Sequence, residues 1–173
     1  MTAPLPRRTV RAVERIRRRS RMTGLALALL VLAPAGLAAE TRLTDATISE
    51  LGAALAAGTV TSERLVELFD ARIEAYDKQG PAINAVILRN PRAAERAREL
   101  DRERREKGPR SPLHGIPVVI KDNLDTADLP TTAGSFILEG SLPPDDAFVV
   151  QRLREAGAIV LAKTNLSEFA SGD

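Results

Sequence analysis

Two short apolar runs, Ile116-Pro117-Val118-Val119-Ile120 and Ile159-Val160-Leu161-Ala162, each stop on a lysine and further polar residues, Lys121-Asp122-Asn123 and Lys163-Thr164-Asn165. Runs this short, rich in branched side chains and without polar alternation, read as strands buried on both faces. Between them Asp145 or Asp146 can cap a helix through Ala156, with Val149, Val150 and Leu153 facing inward and Gly157 ending it. Strand, helix and strand in this order point to the parallel sheet of an α/β protein, covered by helices on both faces. Ligands of such sheets gather at the carboxyl ends of the strands, and both lysines stand there.

The upstream pattern is helical. Thr47-Ile48-Ser49-Glu50 matches a capping box, and Gly58 ends a helix of about ten residues. A second helix starts near Thr61-Ser62, with Leu65, Val66, Phe69, Ile73 and Tyr76 as one buried stripe. Ala85-Val86-Ile87-Leu88 reads as another buried strand. Asn90 then caps a helix with Pro91 in its first turn; this helix reaches Lys107, carrying Ala94, Ala97 and Leu100 as a thin apolar stripe. Its charge-dense end, Asp101 to Lys107, reads as a solvated face. Residues 124–144 contain two glycines and three prolines and are expected to be mostly loop.

The first part of the chain has a different composition. Residues 1–21 hold eight arginines against Glu14 alone, a local charge of +7, so the stated total of +2 leaves −5 for the remainder. The basic balance therefore belongs to a tail, and nucleic-acid binding by the folded part is not expected. An uncharged run from Leu25 to Ala33 and then Pro34-Ala35-Gly36-Leu37-Ala38-Ala39 follow the arginines. Basic stretch, apolar run and small-residue site form the order of a secretory signal peptide over residues 1–39, cut after Ala38 or Ala39. The run is shorter than the ~20 residues that span a bilayer, so no stable membrane insertion is expected. Residues 40–173 are then the mature part, in a secreted or periplasmic location, with the general and twin-arginine routes both open. The absence of cysteine excludes thiol catalysis and a thiolate metal site.

No Gly-rich phosphate loop, His-Glu-x-x-His helix or Gly-x-Ser-x-Gly elbow occurs, and His114 is the one histidine. Neither a metal nor a cofactor is expected. Lys121 stands out because an ammonium group directly after five apolar strand residues costs several kcal/mol unless paired or neutralised. The alternative is a stem that snorkels from the strand end to water.

Three blocks together reach further: Leu113 to Asn123, Pro130-Thr131-Thr132-Ala133-Gly134-Ser135, and Gly157 to Ala170 with its Lys163-Thr164-Asn165-Leu166-Ser167-Glu168-Phe169-Ala170 ending. In wording, order and spacing they resemble the amidase signature family, and the helices from Thr44 to Asp77 look like that family's amino-terminal segment. The resemblance covers about residues 43–173. It implies an α/β fold, the amino-terminal portion of a mixed β-sheet covered by helices on both faces and incomplete in this chain. It also implies amide-bond hydrolysis of a small-molecule substrate by a Ser-Ser-Lys triad, in which Lys121 is the lysine. The two serines belong to a Gly- and Ser-rich segment that follows the Glu168-Phe169-Ala170 block, so the chain as given is expected to be inactive. Ser167 and Ser171 lack the glycine-rich surroundings of an oxyanion site and do not replace them.

In that chemistry a neutral lysine draws a proton through the bridging serine from the nucleophile, whose oxygen attacks the amide carbonyl. Thr131, Thr132 and Ser135 either line the substrate site or stabilise turns. By the resemblance Lys163 serves as scaffold or site lining, and His114 is expected to hydrogen-bond a loop. Two other readings stay open: a protein of the same family that resembles an amidotransferase subunit, and a non-catalytic secreted remnant or binding protein.

Overall fold

The computed structural model describes residues 43–171; the signal peptide expected over residues 1–39 lies outside the described residues. Helix α1, Ile48–Ala57, has the expected capping box. The Thr47 amide donates to Glu50 Oε2 at 2.7 Å, the Glu50 amide donates to Thr47 Oγ1 at 3.2 Å, and Gly58 closes the helix in the left-handed region. Helix α2, Ser62–Arg72, runs into a π-helical turn, Ile73–Lys78. The wider turn rotates the apolar stripe. Tyr76, expected in that stripe, is therefore half exposed, and Asp77 turns inward to accept the amides of Ala85 at 2.6 Å and Val86 at 3.3 Å.

Strand β1 is Val86–Arg89, helix α3 is Ala93–Lys107, and strand β2 is Pro117–Lys121. Asn90 does not cap α3. Its side chain accepts from the Arg92 amide at 2.9 Å and donates to the Val160 carbonyl at 2.7 Å, forming a turn after which α3 begins without a side-chain cap. The end of α3 is also not wholly solvated. Asp101 is buried, and its carboxylate accepts the Ser62 and Glu63 amides at 2.8 and 3.1 Å, serving the loose donors at the start of α2.

Helix α4, Phe148–Glu155, also starts without a side-chain cap, because Asp146 accepts the Ala127 amide at 2.8 Å and pairs with Arg154 at 2.9 Å. Val150 is buried on α4, whereas Val149 faces out. Strand β3, Ile159–Thr164, runs two residues past its expected end, so Lys163 lies inside the strand.

The three strands form a mixed sheet in the order β1-β3-β2, with β3 parallel to β2 and antiparallel to β1. One face packs Ile159 and Leu161 against Val66 of α2 and Ala93, Ala97 and Leu100 of α3. The other packs Ile120 and Val160 against Val150 of α4 and Leu129 of the loop between β2 and α4. This is the mixed sheet with helices on both faces that the resemblance implies.

A bulge interrupts β3. Val118 lies opposite Val160, but the next residue, Val119, lies opposite Ala162, which leaves Leu161 without a partner on β2. Such an extra residue reverses the alternation of everything after it. Strict alternation would place Lys163 on the α2/α3 face with Ile159 and Leu161. The bulge sends it to the α4 face, in register with Ile120 and with Leu88 of β1.

The turn entering β2 is closely fitted. Gly115 has φ +81°, and a Cβ there would stand 2.1 Å from Oγ of the fully buried Ser62. Gly115→Ala is expected to lower stability by about 2 kcal/mol or more, as read from urea unfolding midpoints. Gly140→Ala, at φ +74° but facing open space, should cost only about 1 kcal/mol, the backbone contribution alone.

Candidate functional site

The carboxyl ends of β2 and β3 bring Lys121 and Lys163 to the same edge of the sheet, but on opposite faces. Ile120 and Lys163 are in register, and Lys121 is the next residue along β2, so it points the other way. Lys121 is exposed and, among the described residues, forms no ion pair. Lys163 is fully buried. Its Nζ lies 3.0 Å from Asp122 Oδ1, 2.7 Å from Thr131 Oγ1, 3.0 Å from the Leu124 carbonyl, and 3.2 Å from both Thr126 Oγ1 and the Pro130 carbonyl. These oxygens outnumber the three protons an ammonium can donate, so its capacity is fully used.

Asp122 is the buried counter-charge. Its Oδ1 is held by the Lys163 charge, off the line of a hydrogen bond, and its Oδ2 accepts the Thr132 amide at 3.0 Å and the Thr132 hydroxyl at 2.6 Å. Its main chain adds two more ties. The Asp122 amide donates to the Thr164 carbonyl at 3.0 Å, and its own carbonyl accepts from the Ala133 amide at 2.9 Å.

Of the three loop hydroxyls singled out from the sequence, two contact this pair and the third holds the segment after β3. Thr131 Oγ1 meets Lys163, Thr132 Oγ1 meets Asp122, and Ser135 Oγ donates to Glu168 Oε1 at 2.7 Å. Thr131 and Ser135 are buried. Thr132 and Ser135 also border a cleft of about 390 Å³, together with Gly134, Phe136, Val86 and Asn165.

The loop reaches on to the next segment. The Phe169 amide donates to the Ala133 carbonyl at 2.7 Å, and Ala133, Phe169 and Ala170 have φ of +49°, +53° and +57°. Left-handed backbone at residues other than glycine costs about 1–3 kcal/mol each and persists where neighbours hold it.

His114 is elsewhere, fully buried under α3. Its Nδ1 accepts the Arg110 amide at 3.2 Å, which leaves Nε2–H to donate to the Leu100 carbonyl at 3.0 Å. It ties the loop before β2 to α3, in keeping with the hydrogen-bonding role expected from the sequence. Among the described residues, no group of three or more His, Asp or Glu side chains could hold a metal ion. Sequence reasoning missed Asp122 and Glu168 as holding groups and missed how deeply Lys163 is buried. The apolar run leading directly into Lys163 was the available signal.

Comparison with known proteins places these residues in context. The sequence model of the family described as Amidase matches residues 64–173. The chain is 49% identical over 125 residues to a subunit of the glutamyl-tRNA(Gln) amidotransferase of Anaeromyxobacter sp. (strain K), covering 72% of this chain and 25% of that protein. It is 45% identical over 155 residues to an Arabidopsis thaliana protein named as a probable amidase, covering 84% and 30%. Among solved structures, the native peptide amidase from Stenotrophomonas maltophilia matches with a TM-score of 0.70 at 49% identity, over 72% of this chain and 26% of that one. The chain thus spans about a quarter of the length of the relatives it matches.

The tie between Asp122 and the loop can be weighed directly. Thr132→Val keeps the shape and the backbone amide bond but removes the 2.6 Å hydroxyl donor to a buried carboxylate. A loss of about 1.5–3 kcal/mol in the urea unfolding free energy is expected, the range for a hydrogen bond to a charged group.

Proposed function

The chain belongs to the amidase family, and from that premise we propose that it supplies the general base, Lys121, of an amide-bond hydrolase working through a Ser-Ser-Lys triad. The observation that carries this reading is the contrast between the two lysines. Lys163 is sealed among oxygens that occupy all its protons, whereas Lys121 stands exposed at the end of β2 without an ion-pair partner among the described residues. Of the two, only Lys121 has an amine available to move a proton. In this reading the amine takes a proton from the bridging serine as the nucleophilic serine attacks the amide carbonyl, and water later releases the acid.

The two serines are taken to come from polypeptide outside residues 1–173, in a Gly- and Ser-rich segment, so these residues by themselves hydrolyse no amide. The substrate is a small amide, with Thr131, Thr132 and Ser135 near its binding cleft. No nucleic acid, metal or cofactor enters this reaction.

A second reading has its own support, the 49% identity to a subunit of a glutamyl-tRNA(Gln) amidotransferase. Both readings use Lys121 in the same way, so location separates them. The arginine block, apolar run and small-residue site favour an exported hydrolase whose mature chain starts near Ala39 or Glu40. Amino-terminal sequencing of the protein recovered from outside the cytoplasm should find that start; an intact Met1 there would overturn export.

In the protein expressed from its full reading frame, Lys121→Ala should lower turnover by about 10²- to 10⁴-fold, the contribution of a positioned proton acceptor. Lys121→Arg should be nearly as harmful, because a guanidinium stays protonated near neutral pH. Both are to be compared at matched melting temperature. Well-folded Lys121→Arg that keeps more than about a tenth of the turnover would remove Lys121 from the role.

A further inference from the structure

The buried Lys163–Asp122 pair has no place in the proton transfer, yet it sits one residue from Lys121. We infer that this pair is a positioning device, which ties loop 124–135 and, through it, segment 166–171 to the end of β2 that carries Lys121. The inference rests on the proposed role of Lys121 as base.

Geometry excludes a direct part in the chemistry. Lys163 lies on the opposite face of the sheet from Lys121, with no exposed surface, its charge paired with Asp122 and its protons shared among oxygens of Leu124, Thr126, Pro130 and Thr131. Four of those five residues belong to the loop that leaves β2, so a single ammonium gathers the loop's inward-facing oxygens.

The chain of contacts then continues. Asp122 holds the amide and hydroxyl of Thr132 through its carboxylate and the amide of Ala133 through its carbonyl. Ala133 in turn holds the Phe169 amide, and Ser135 holds Glu168. Gly134 presses so closely on the second segment that a Cβ there would meet the Leu166 carbonyl at 3.0 Å. The links from Lys163 to Glu168 and Phe169 are directional polar contacts. Apolar side chains would fill the same space without the desolvation cost of two buried charges, but they would not fix the loop in one arrangement. The pair therefore contributes geometry more than stability.

The test uses the protein expressed from its full reading frame. Four variants are compared: Lys163→Met, Asp122→Asn, the double variant Lys163→Met/Asp122→Asn, and Lys121→Ala. Amide hydrogen exchange needs no substrate. In Lys163→Met the amides of Thr132, Ala133 and Phe169 should exchange at least about tenfold faster, while those of Ala97 and Leu100 in α3 stay unchanged. Turnover is followed as ammonia release from a panel of primary amides. In Lys163→Met, kcat should fall on the order of 10²-fold with KM little changed, the signature of a misplaced catalytic group. The double variant buries no unpaired charge, so its melting temperature should return towards that of the unmodified protein while loop protection and kcat stay low. It also carries the comparison if Lys163→Met fails to fold.

Unchanged exchange at Thr132, Ala133 and Phe169 would overturn the inference. So would a double variant whose kcat recovers along with its melting temperature, since the pair would then be merely structural. If Lys121→Ala remains fully active, the role of Lys121 falls instead, and the exchange data still decide whether the pair organises the loop.

Discussion

A fully buried ammonium dictates the layout at the open end of this sheet. Taking the Lys163 charge out of water costs several kcal/mol unless oxygens replace its hydration shell. The structure supplies them from Asp122 and from four residues of the loop that follows β2. Within the loop only short turns join one part of the backbone to the next, so its course follows where its oxygens converge on the ammonium. The strand carrying Lys121, the loop and the segment after β3 are thereby fixed with respect to one another.

Aspartates satisfy loose backbone donors throughout the fold. Asp101 serves the first amides of α2, Asp77 serves the amides entering β1, Asp122 serves Thr132, and Asp146 serves Ala127. Each joins segments far enough apart in sequence that no local turn could make the bond. A carboxylate accepting an amide is a charge-assisted bond and tolerates partial burial well. Among the described residues, three short strands are held in this way at the corners of the sheet as well as along its ladders.

Much of the scaffold was legible in the sequence because its signals are local. The capping box at Thr47, the glycine after Ala57, the apolar runs of β2 and β3 and the loop-rich stretch between them all act within a few residues. What escaped reading was set by contacts distant in the chain. The π-helical turn that exposes Tyr76 goes with the use of Asp77 at β1, and the supposed caps Asn90 and Asp146 are engaged elsewhere. The site shows the same division. Lys121-Asp122-Asn123 and Lys163-Thr164-Asn165 look alike as text, and both do end at one edge of the sheet. A bulge at Leu161 separates them, and nothing in Ile159-Val160-Leu161-Ala162 marks where alternation reverses. That single extra residue turns one lysine into an interior anchor and leaves the other at the surface.

The strand order has a consequence for how the protein is made. β3 is the middle strand of the sheet and the last of the three to be synthesised, and β1 and β2 each pair with it but not with each other. On the ribosome both therefore emerge before the one partner they have among the described residues. At about 5–20 residues per second, β1 waits some seconds for residues 159–164 to appear. During that interval its backbone donors and acceptors are open to other chains. Among the described residues, the strand that pairs with both others also delivers the buried ammonium that closes the loop.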